Sequence, residues 1–393
     1  MMLVKRNKGL LSVFIRECSR IATHPVYFIM LIVIPIGTSL FFLTLMPDGL
    51  PEALPIGIID HDNSSISRNM RRQIDATAQN KVYGTYVNFS EARADLQEGE
   101  IYGFVEIPLD FEKNILIGNQ PKIWFYYNQA FFIPGSLTLK NLSKMLATIS
   151  GGINLQFSTA HGANKDVSLA QIQAVVADVH PIGNPYINYS VYLTNIIMPG
   201  ILELIVILTS VYVIGIELKH KTSRKWLAIG DNSLFKALLG KFLPYTIVFV
   251  IMGLFYNVLL FKYMHYPQNG SFFWMCLDTV LMILASQSVG ILMIGIFPVL
   301  RDGLSFASLY GMLAFSFSGF SFPIEGMPYF VQGLSTLFPL RYYYKIYQNV
   351  ALNGVSWQYN ATDYLVLFLF LMLPFLILTR LKNALIFQYY PKK

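Results

Sequence analysis

Charge is scarce in this chain. Only 13% of its 393 residues are Asp, Glu, Lys or Arg, while 54% are hydrophobic. A soluble domain carries roughly 25% charged residues, so the deficit points to lipid as part of the solvent. Cysteine is nearly absent: Cys18 and Cys276 are the only two. Both lie in or beside apolar segments, which excludes a disulfide framework or a cysteine metal centre in the polar part of the chain. Nucleotide-hydrolysing signatures are missing too. Gly240-Lys241 lacks both the upstream glycine and the following Ser or Thr of a phosphate-binding loop, and no H-E-x-x-H or Cys-x-x-Cys occurs. The chain is therefore not expected to hydrolyse ATP or to hold a metal, and any energy for transport must come from a partner or an ion gradient.

What it has in abundance is long apolar runs. A helix needs about 20 apolar residues to cross ~30 Å of hydrocarbon. Six segments approach or meet that length: Val26–Met46, Tyr192–Ile216, Leu243–Phe261, Phe273–Val299, Leu304–Phe322 and Tyr364–Leu378, the last extending to Leu381 if Arg380 snorkels. The first is too long for a signal-peptide core and no small-residue cleavage site follows it, so it reads as an uncleaved anchor. The net charge of +7 is explained by where the basic residues stand rather than by nucleic acid. Lys5, Arg6, Lys8, Arg16 and Arg20 precede the first span. Lys219, Lys221, Arg224, Lys225, Lys236 and Lys241 separate the second and third, Arg301 the fourth and fifth, and Arg380, Lys382, Lys392 and Lys393 close the chain. The intervening loops hold only Lys262, Arg341 and Lys345. The bias predicts cytoplasmic termini and an extracytoplasmic segment over 47–190.

Within residues 1–25, Lys8–Ala22 is patterned as an amphipathic interfacial helix. Leu10, Leu11, Phe14, Ile15, Cys18, Ile21 and Ala22 form one side; Lys8, Ser12, Arg16, Glu17 and Arg20 form the other. Segment 47–190 alternates strand and helix: Pro55–Ile59, Val82–Val87, Ile101–Ile107 and Ile123–Tyr127 as strands, Ser64–Thr77, Ser90–Gln97 and Asp110–Leu116 as helices. That order predicts an α/β domain. Longer helices are expected over Ser136–Leu155 and Val167–Val179. The run Asp60-His61-Asp62-Asn63-Ser64-Ser65 reads as a turn and helix cap rather than a metal site. The aromatics Trp124, Phe125, Tyr126, Tyr127, Phe131 and Phe132 read either as core or as a docking surface.

Ionisable groups within spans are costly in lipid and face protein or water. Glu203 and Gln287 are expected to line a translocation path or dimer interface, or else to lock helices by hydrogen bonds. Asp278 belongs to the same set, closer to a membrane face.

Several short motifs follow one another in fixed order. They are Asn184-Pro185, Pro199-Gly200, the charged stretch Glu217–Gly230, Leu239-Gly240-Lys241, Phe322-Pro323-Ile324-Glu325-Gly326-Met327-Pro328, and Pro339-Leu340-Arg341-Tyr342. In this arrangement the chain resembles the type-2 ABC transporter permeases, in the branch with a large extracytoplasmic domain between the first two spans. It departs from that pattern at Lys219, where a second Glu is usual, at Lys221 in place of Gly, and at Gly230 in place of Pro.

The resemblance implies an α-helical integral membrane protein of about six transmembrane helices with an inserted α/β domain. One span would occupy 26–46, five would lie within 191–381, and 382–393 would form a cytoplasmic tail. It implies a coupling helix over 217–229 with Glu217, Lys219, Thr222 and Trp226 facing a separate ATP-binding subunit. It implies an outer gate over 320–350 built on Pro323, Glu325, Gly326 and Pro328, with Glu325 bonding its own backbone. Tyr342, Tyr343, Tyr344 and Tyr347 would anchor an interfacial helix.

The expected function is ATP-driven export of a hydrophobic or amphipathic substrate. ATP and Mg are bound by the partner rather than by this chain. A second permease completes a homodimer or heterodimer in a bacterial inner membrane. A periplasmic membrane-fusion protein and outer-membrane channel are further partners. The alternatives are a membrane-anchored receptor that binds ligand through the inserted domain, and a gradient-driven transporter, against which no internal repeat is found.

Overall fold

The computed structural model describes residues 9–45, 49–160, 183–184, 188–388 and 390. The helix expected over Val167–Val179 and the residue Pro185 lie outside the described residues. The chain divides into two compact units, Met1–Pro47 with His180–Lys393, and Asp48–Val179.

The first unit opens with α1 (Leu10–Thr23), which ends at an extended His24 before Pro25. A proline at the first helical position starts a new helix readily, and α2 (Pro25–Leu45) begins there, with one wide turn at Ile29–Val33.

The second unit holds β1 (Leu54–Asp60), α3 (Ser65–Asp75), β2 (Asn80–Tyr86), α4 (Phe89–Glu98), β3 (Gly103–Ile107), α5 (Phe111–Leu116), β4 (Trp124–Tyr127) and α6 (Phe132–Ala160). The sheet order is β2-β1-β3-β4, with β1 parallel to β2 and β3 and with β4 antiparallel to β3. β1 is central and covered on both faces, which is why it reads as a nearly unbroken apolar run rather than an alternation. On one face Ile56, Ile58, Val105 and Ile107 pack with Met70, Ile74, Phe111 and Leu142 of α3, α5 and α6. On the other, Ile59 and Phe104 pack with Ala92 of α4 and with Ile101.

Helix starts in this unit are set by side-chain caps. The Ser64 hydroxyl accepts from Ser67 N and the Asn88 carbonyl from Glu91 N. Gly99, at φ 85°, closes α4 in the left-handed region that glycine tolerates. The 60–65 turn is a capping device. Asp60 accepts the amides of Asp62 and Asn63, and Asp62 accepts those of Phe111 and Glu112 at the head of α5. Tyr126 and Phe125 pack into the two opposite cores, whereas Trp124 and Phe131 are exposed.

The first unit resumes with α7 (Tyr189–Lys219), α8 (Ser223–Ile229), α9 (Leu234–Tyr263), α10 (Phe272–Ile296), α11 (Leu300–Phe317), α12 (Tyr329–Ser335), α13 (Pro339–Ile346) and α14 (Trp357–Phe387). Among the described residues five helices are long and apolar enough to cross a membrane: α2, α7, α9, α10 and α14. The segment expected as a further span, Leu304–Phe322, corresponds to α11, which begins four residues and ends five residues earlier. That helix has 18 residues, about 27 Å, and carries Arg301 and Asp302 in its first turn. Its chain leaves helical geometry at Gly319, whose φ is 87°.

Within this unit α7 and α10 are the most enclosed spans, and α2 and α14 the most exposed. α7 packs along both α10 and α11, α1 along α9, and α10 along α14. The tyrosines expected as interfacial anchors turn into the protein. Tyr342, Tyr343, Tyr344 and Tyr347 are buried in the main core with Leu340, Ile346 and Val350. α13 is wrapped by α10, α11 and α14, so these aromatics meet protein, and their apolar area is removed from contact with either lipid or water.

Candidate functional site

Glu17 occupies the centre of the polar side of α1, with Val13 one turn before it and Arg16 and Arg20 flanking it; spacing of three and four residues puts these on one face. That face turns inward: Val13 and Glu17 are fully buried, while Leu11 and Ile15 are 68% and 59% exposed. Close approach to α9 is possible because position 240 has no side chain. A Cβ on Gly240 would lie 2.6 Å from the Leu10 carbonyl oxygen and 2.8 Å from Val13 Cβ. The next residue, Lys241, then enters the contact with no exposed surface at all.

Glu217, in the last turn of α7, completes the cluster. One of its oxygens accepts from Arg16 Nη2 at 2.7 Å, from Lys241 Nζ at 3.1 Å and from Arg20 Nη1; the other accepts from the Thr222 hydroxyl. Glu17 accepts from Lys241 Nζ at 2.9 Å, from Arg16 Nη1 at 3.0 Å and from the Tyr245 hydroxyl at 3.3 Å. Three cations thus share two carboxylates. Burial works against the charge on Arg20, yet the Glu217 and Glu17 carboxylates more than offset it and hold its pKa above the ordinary value.

The junction also captures α8. The Trp226 ring lies 4.7 Å from Lys241 Nζ, a cation–π contact inside the protein. Its Nε1 donates to the Ala237 carbonyl at 3.3 Å. α8 is tied to the end of α14 as well, by Ser223 Oγ to Leu385 O at 2.7 Å and Arg224 Nε to Ile386 O at 2.6 Å. Gly9 N reaches Ile229 O at 2.8 Å. One cluster therefore joins α1, α7, α8 and α9, and its neighbours join α14.

These positions revise how the expected coupling residues can act. The stretch 217–229 is not one helix. α7 runs on to Lys219, Lys221 adopts a left-handed φ of 55°, and α8 begins at Ser223. Glu217 and Trp226 are fully buried within the chain and present no surface to another subunit. Thr222 is half-buried against Glu217. What faces outward is Lys219, His220, Lys221, Arg224 and Lys225, a basic surface. The charges of α1 were legible as orientation signals; their role as a cluster was not. The signal was present in Glu17, an acid between two arginines on a helix that had no need of one at a headgroup surface.

Glu203 is buried inside the chain, and its Oε1 has no hydrogen-bond partner among the described residues. Gln287 accepts from the Thr246 hydroxyl at 2.8 Å and so links α9 to α10. Asp278 is fully buried, and among the described residues neither of its oxygens has a hydrogen-bond partner.

At the opposite end of the spans from α8, Pro323, Glu325, Gly326 and Pro328 are all exposed. Ile324–Gly326 forms a single tight turn between prolines in extended conformation. The Glu325 carboxylate accepts no backbone N–H among the described residues, and the bonds that brace this segment are donations to carbonyl and hydroxyl oxygens instead. Gln332 Nε2 donates to Met327 O at 2.9 Å, and Arg341 Nη1 to Gln332 O at 3.1 Å and to the Ser335 hydroxyl. Among the described residues no cluster of three or more His, Cys, Asp or Glu stands ready to hold a metal.

The family model described as ABC-2 family transporter protein matches residues 25–380. No curated protein matches the chain.

Proposed function

The chain belongs to the ABC-2 family of transporter proteins, a membrane component that works with an ATP-binding subunit, and on that premise we propose that it is the permease of an ATP-driven exporter for a hydrophobic or amphipathic substrate. The observation that carries the reading is the buried junction of Glu17, Glu217, Arg16, Arg20 and Lys241, which fastens α8 to one end of three other helices. A helix so fastened moves with the spans as a rigid body, and rigid-body rocking is how closure of a partner becomes reorientation of a membrane path. α8 is then the coupling helix. Its exposed basic residues face the ATP-binding subunit, on the cytoplasmic side where the surplus of Lys and Arg lies.

In this reading the pump has two permeases. The exposed segment around Pro323–Pro328 serves as the outer gate of each, and the inserted α/β domain faces the periplasm of a bacterial inner membrane. There it meets a membrane-fusion protein and an outer-membrane channel. ATP and Mg belong to the partner subunit, and no group bound by this chain is required.

The test is co-purification of the chain with the ATP-binding subunit, followed by ATP hydrolysis in lipid nanodiscs. A stable complex whose turnover rises with apolar amines or acyl compounds supports the exporter. If a hydrolytically competent complex forms but moves nothing outward in vesicles, the direction is wrong. If no ATP-binding subunit associates, the inserted domain is to be tested for ligand binding as a receptor.

A further inference from the structure

We infer that the inserted unit holds a binding cleft for a small flat organic acid, an aromatic carboxylate, between α4 and the edge strand β4, with Arg93 as the residue that takes the carboxylate. The cleft follows from how the sheet is covered. α6 packs on β4 from one face. On the other face α4 packs on β1, β2 and β3. It reaches β4 with its first residue, where the Phe89 ring stands edge-on to Tyr126 at 5.0 Å. A step is left between the helix and the last strand. It encloses about 340 Å³, within the range of roughly 300–1,000 Å³ usual for small-molecule sites.

Phe89, Arg93 and Leu96 recur at four- and three-residue spacing and so share one face of α4. All three line the cleft. Phe104 and Tyr126 lie beneath them, stacked at 4.9 Å, with Phe89 edge-on to Phe104 at 5.5 Å. Rings so placed offer both faces and edges to another flat ring. Arg93 is exposed, and it has no hydrogen-bond or ion-pair partner among the described residues. Nearby acids are engaged elsewhere. Asp95 accepts from the Tyr86 hydroxyl at 2.7 Å, and Glu106 lies 3.4 Å from His61 Nε2. An unpaired guanidinium beside aromatic rings suits a carboxylate, whose two oxygens match its fork of donors.

The strand edge supplies further donors. β4 ends the sheet among the described residues. Asn128 N donates to Tyr102 O at 3.0 Å, which makes these two a bonded pair of the antiparallel ladder. Two residues on, Phe104 and Tyr126 form the next bonded pair. Phe125 and Tyr127, at the alternate positions, then turn their backbone N–H and C=O groups away from β3 toward the free edge. Both residues line the cleft. A carboxylate can therefore meet the guanidinium from the α4 side and edge amides from the β4 side, while its ring lies on Phe104 and Tyr126. A cation would be repelled by Arg93, and a neutral ring would leave it unpaired. The edge is also open to strand addition, but β4 has only four residues, too few outward groups to hold an added strand by backbone bonds alone. The inference goes beyond the exporter reading and does not depend on it.

Equilibrium binding of phenylacetate, phenylacetamide and acetate to the full chain in nanodiscs tests it, read by ligand-observed NMR with empty nanodiscs subtracted. Phenylacetate is expected to bind saturably. The amide, which lacks the charge, and acetate, which lacks the ring, should each bind roughly tenfold or more weaker. Arg93→Gln should weaken phenylacetate to the level of the amide, and Phe89→Leu should weaken acid and amide alike. Arg93 is exposed, so its glutamine variant should keep the thermal midpoint of wild type. Absence of saturable phenylacetate binding overturns the inference. So does equal affinity for acid and amide, or a wild-type affinity for phenylacetate in Arg93→Gln. An extended peptide that protects the amides of 124–127 from hydrogen exchange, where phenylacetate does not bind, would assign the edge to strand addition instead. Absence of any ATP-binding subunit would sink the exporter reading and leave these binding results standing.

Discussion

At the scale of single residues the junction makes an uneven prediction. Its five side chains carry three positive and two negative charges. Glu217→Ala removes the carboxylate shared by Arg16, Arg20 and Lys241 and leaves those cations with Glu17 alone. Breaking a buried ion pair by deleting one partner typically costs about 3–5 kcal/mol. Lys241→Met instead takes away the one cation with no exposed surface and leaves two arginines for two carboxylates, a balanced set. The methionine stem also fills much the same volume. Glu217→Ala should therefore lower the thermal midpoint of the purified chain markedly, and Lys241→Met clearly less. Equal losses would mean that packing around Lys241, not charge balance, holds the junction. Neither effect should fade much with added salt, since buried pairs are poorly screened.

At the scale of elements, α1 presents a helix turned opposite to the usual globular sense, with its charges inward and its leucine and isoleucine outward. Water is a poor neighbour for Leu11 and Ile15, so that face belongs in the headgroup–acyl boundary. A spin label at Ile15→Cys should meet oxygen dissolved in lipid more often than a water-soluble nickel reagent. A label at Ser19→Cys, one turn further along the same exposed face, should behave alike. The reverse pattern at Ile15 would place α1 in water.

Elements were unevenly legible in the sequence, for physical reasons. The strands and helices of the inserted unit up to β4 are readable within about two residues because caps such as Ser64 and Asn88 and the alternation of β2 are local signals, whereas α6 begins four residues before and ends five residues after the expected Ser136–Leu155. Spans are readable because hydropathy is additive along the chain. The break between α7 and α8 is not, since it rests on a left-handed Lys221 that glycine would have announced and lysine conceals. The burial of Tyr342 and its neighbours is equally hidden, because an aromatic suits a headgroup layer and a protein core alike.

At the scale of the whole molecule, the question is how a separate ATP-binding subunit would grip a chain whose most distinctive charges are sealed inside. Glu217, Glu17 and Lys241 have no exposed surface, so they can position the coupling element but cannot touch a partner. If α8 is the coupling helix as proposed, the contact falls to what it and its flanks leave outside, Lys219, Lys221 and Lys225 beside Arg224. Arg224 is partly committed to Ile386 O, which leaves the three lysines, without an ion pair among the described residues, as the available charges. A surface of one sign selects a partner of the other and speeds encounter more than it tightens the complex. Reversing two of them, Lys219→Glu with Lys225→Glu, should slow and weaken association with the ATP-binding subunit, with the deficit shrinking as ionic strength rises and exposed charges are screened. The thermal midpoint of the chain alone should stay within roughly 0.5 kcal/mol of wild type in stability terms, as expected for exposed substitutions. Binding rates measured at low and high salt separate this from the junction: a double reversal that destabilises the chain, or that leaves association untouched at low salt, would move the docking surface away from α8.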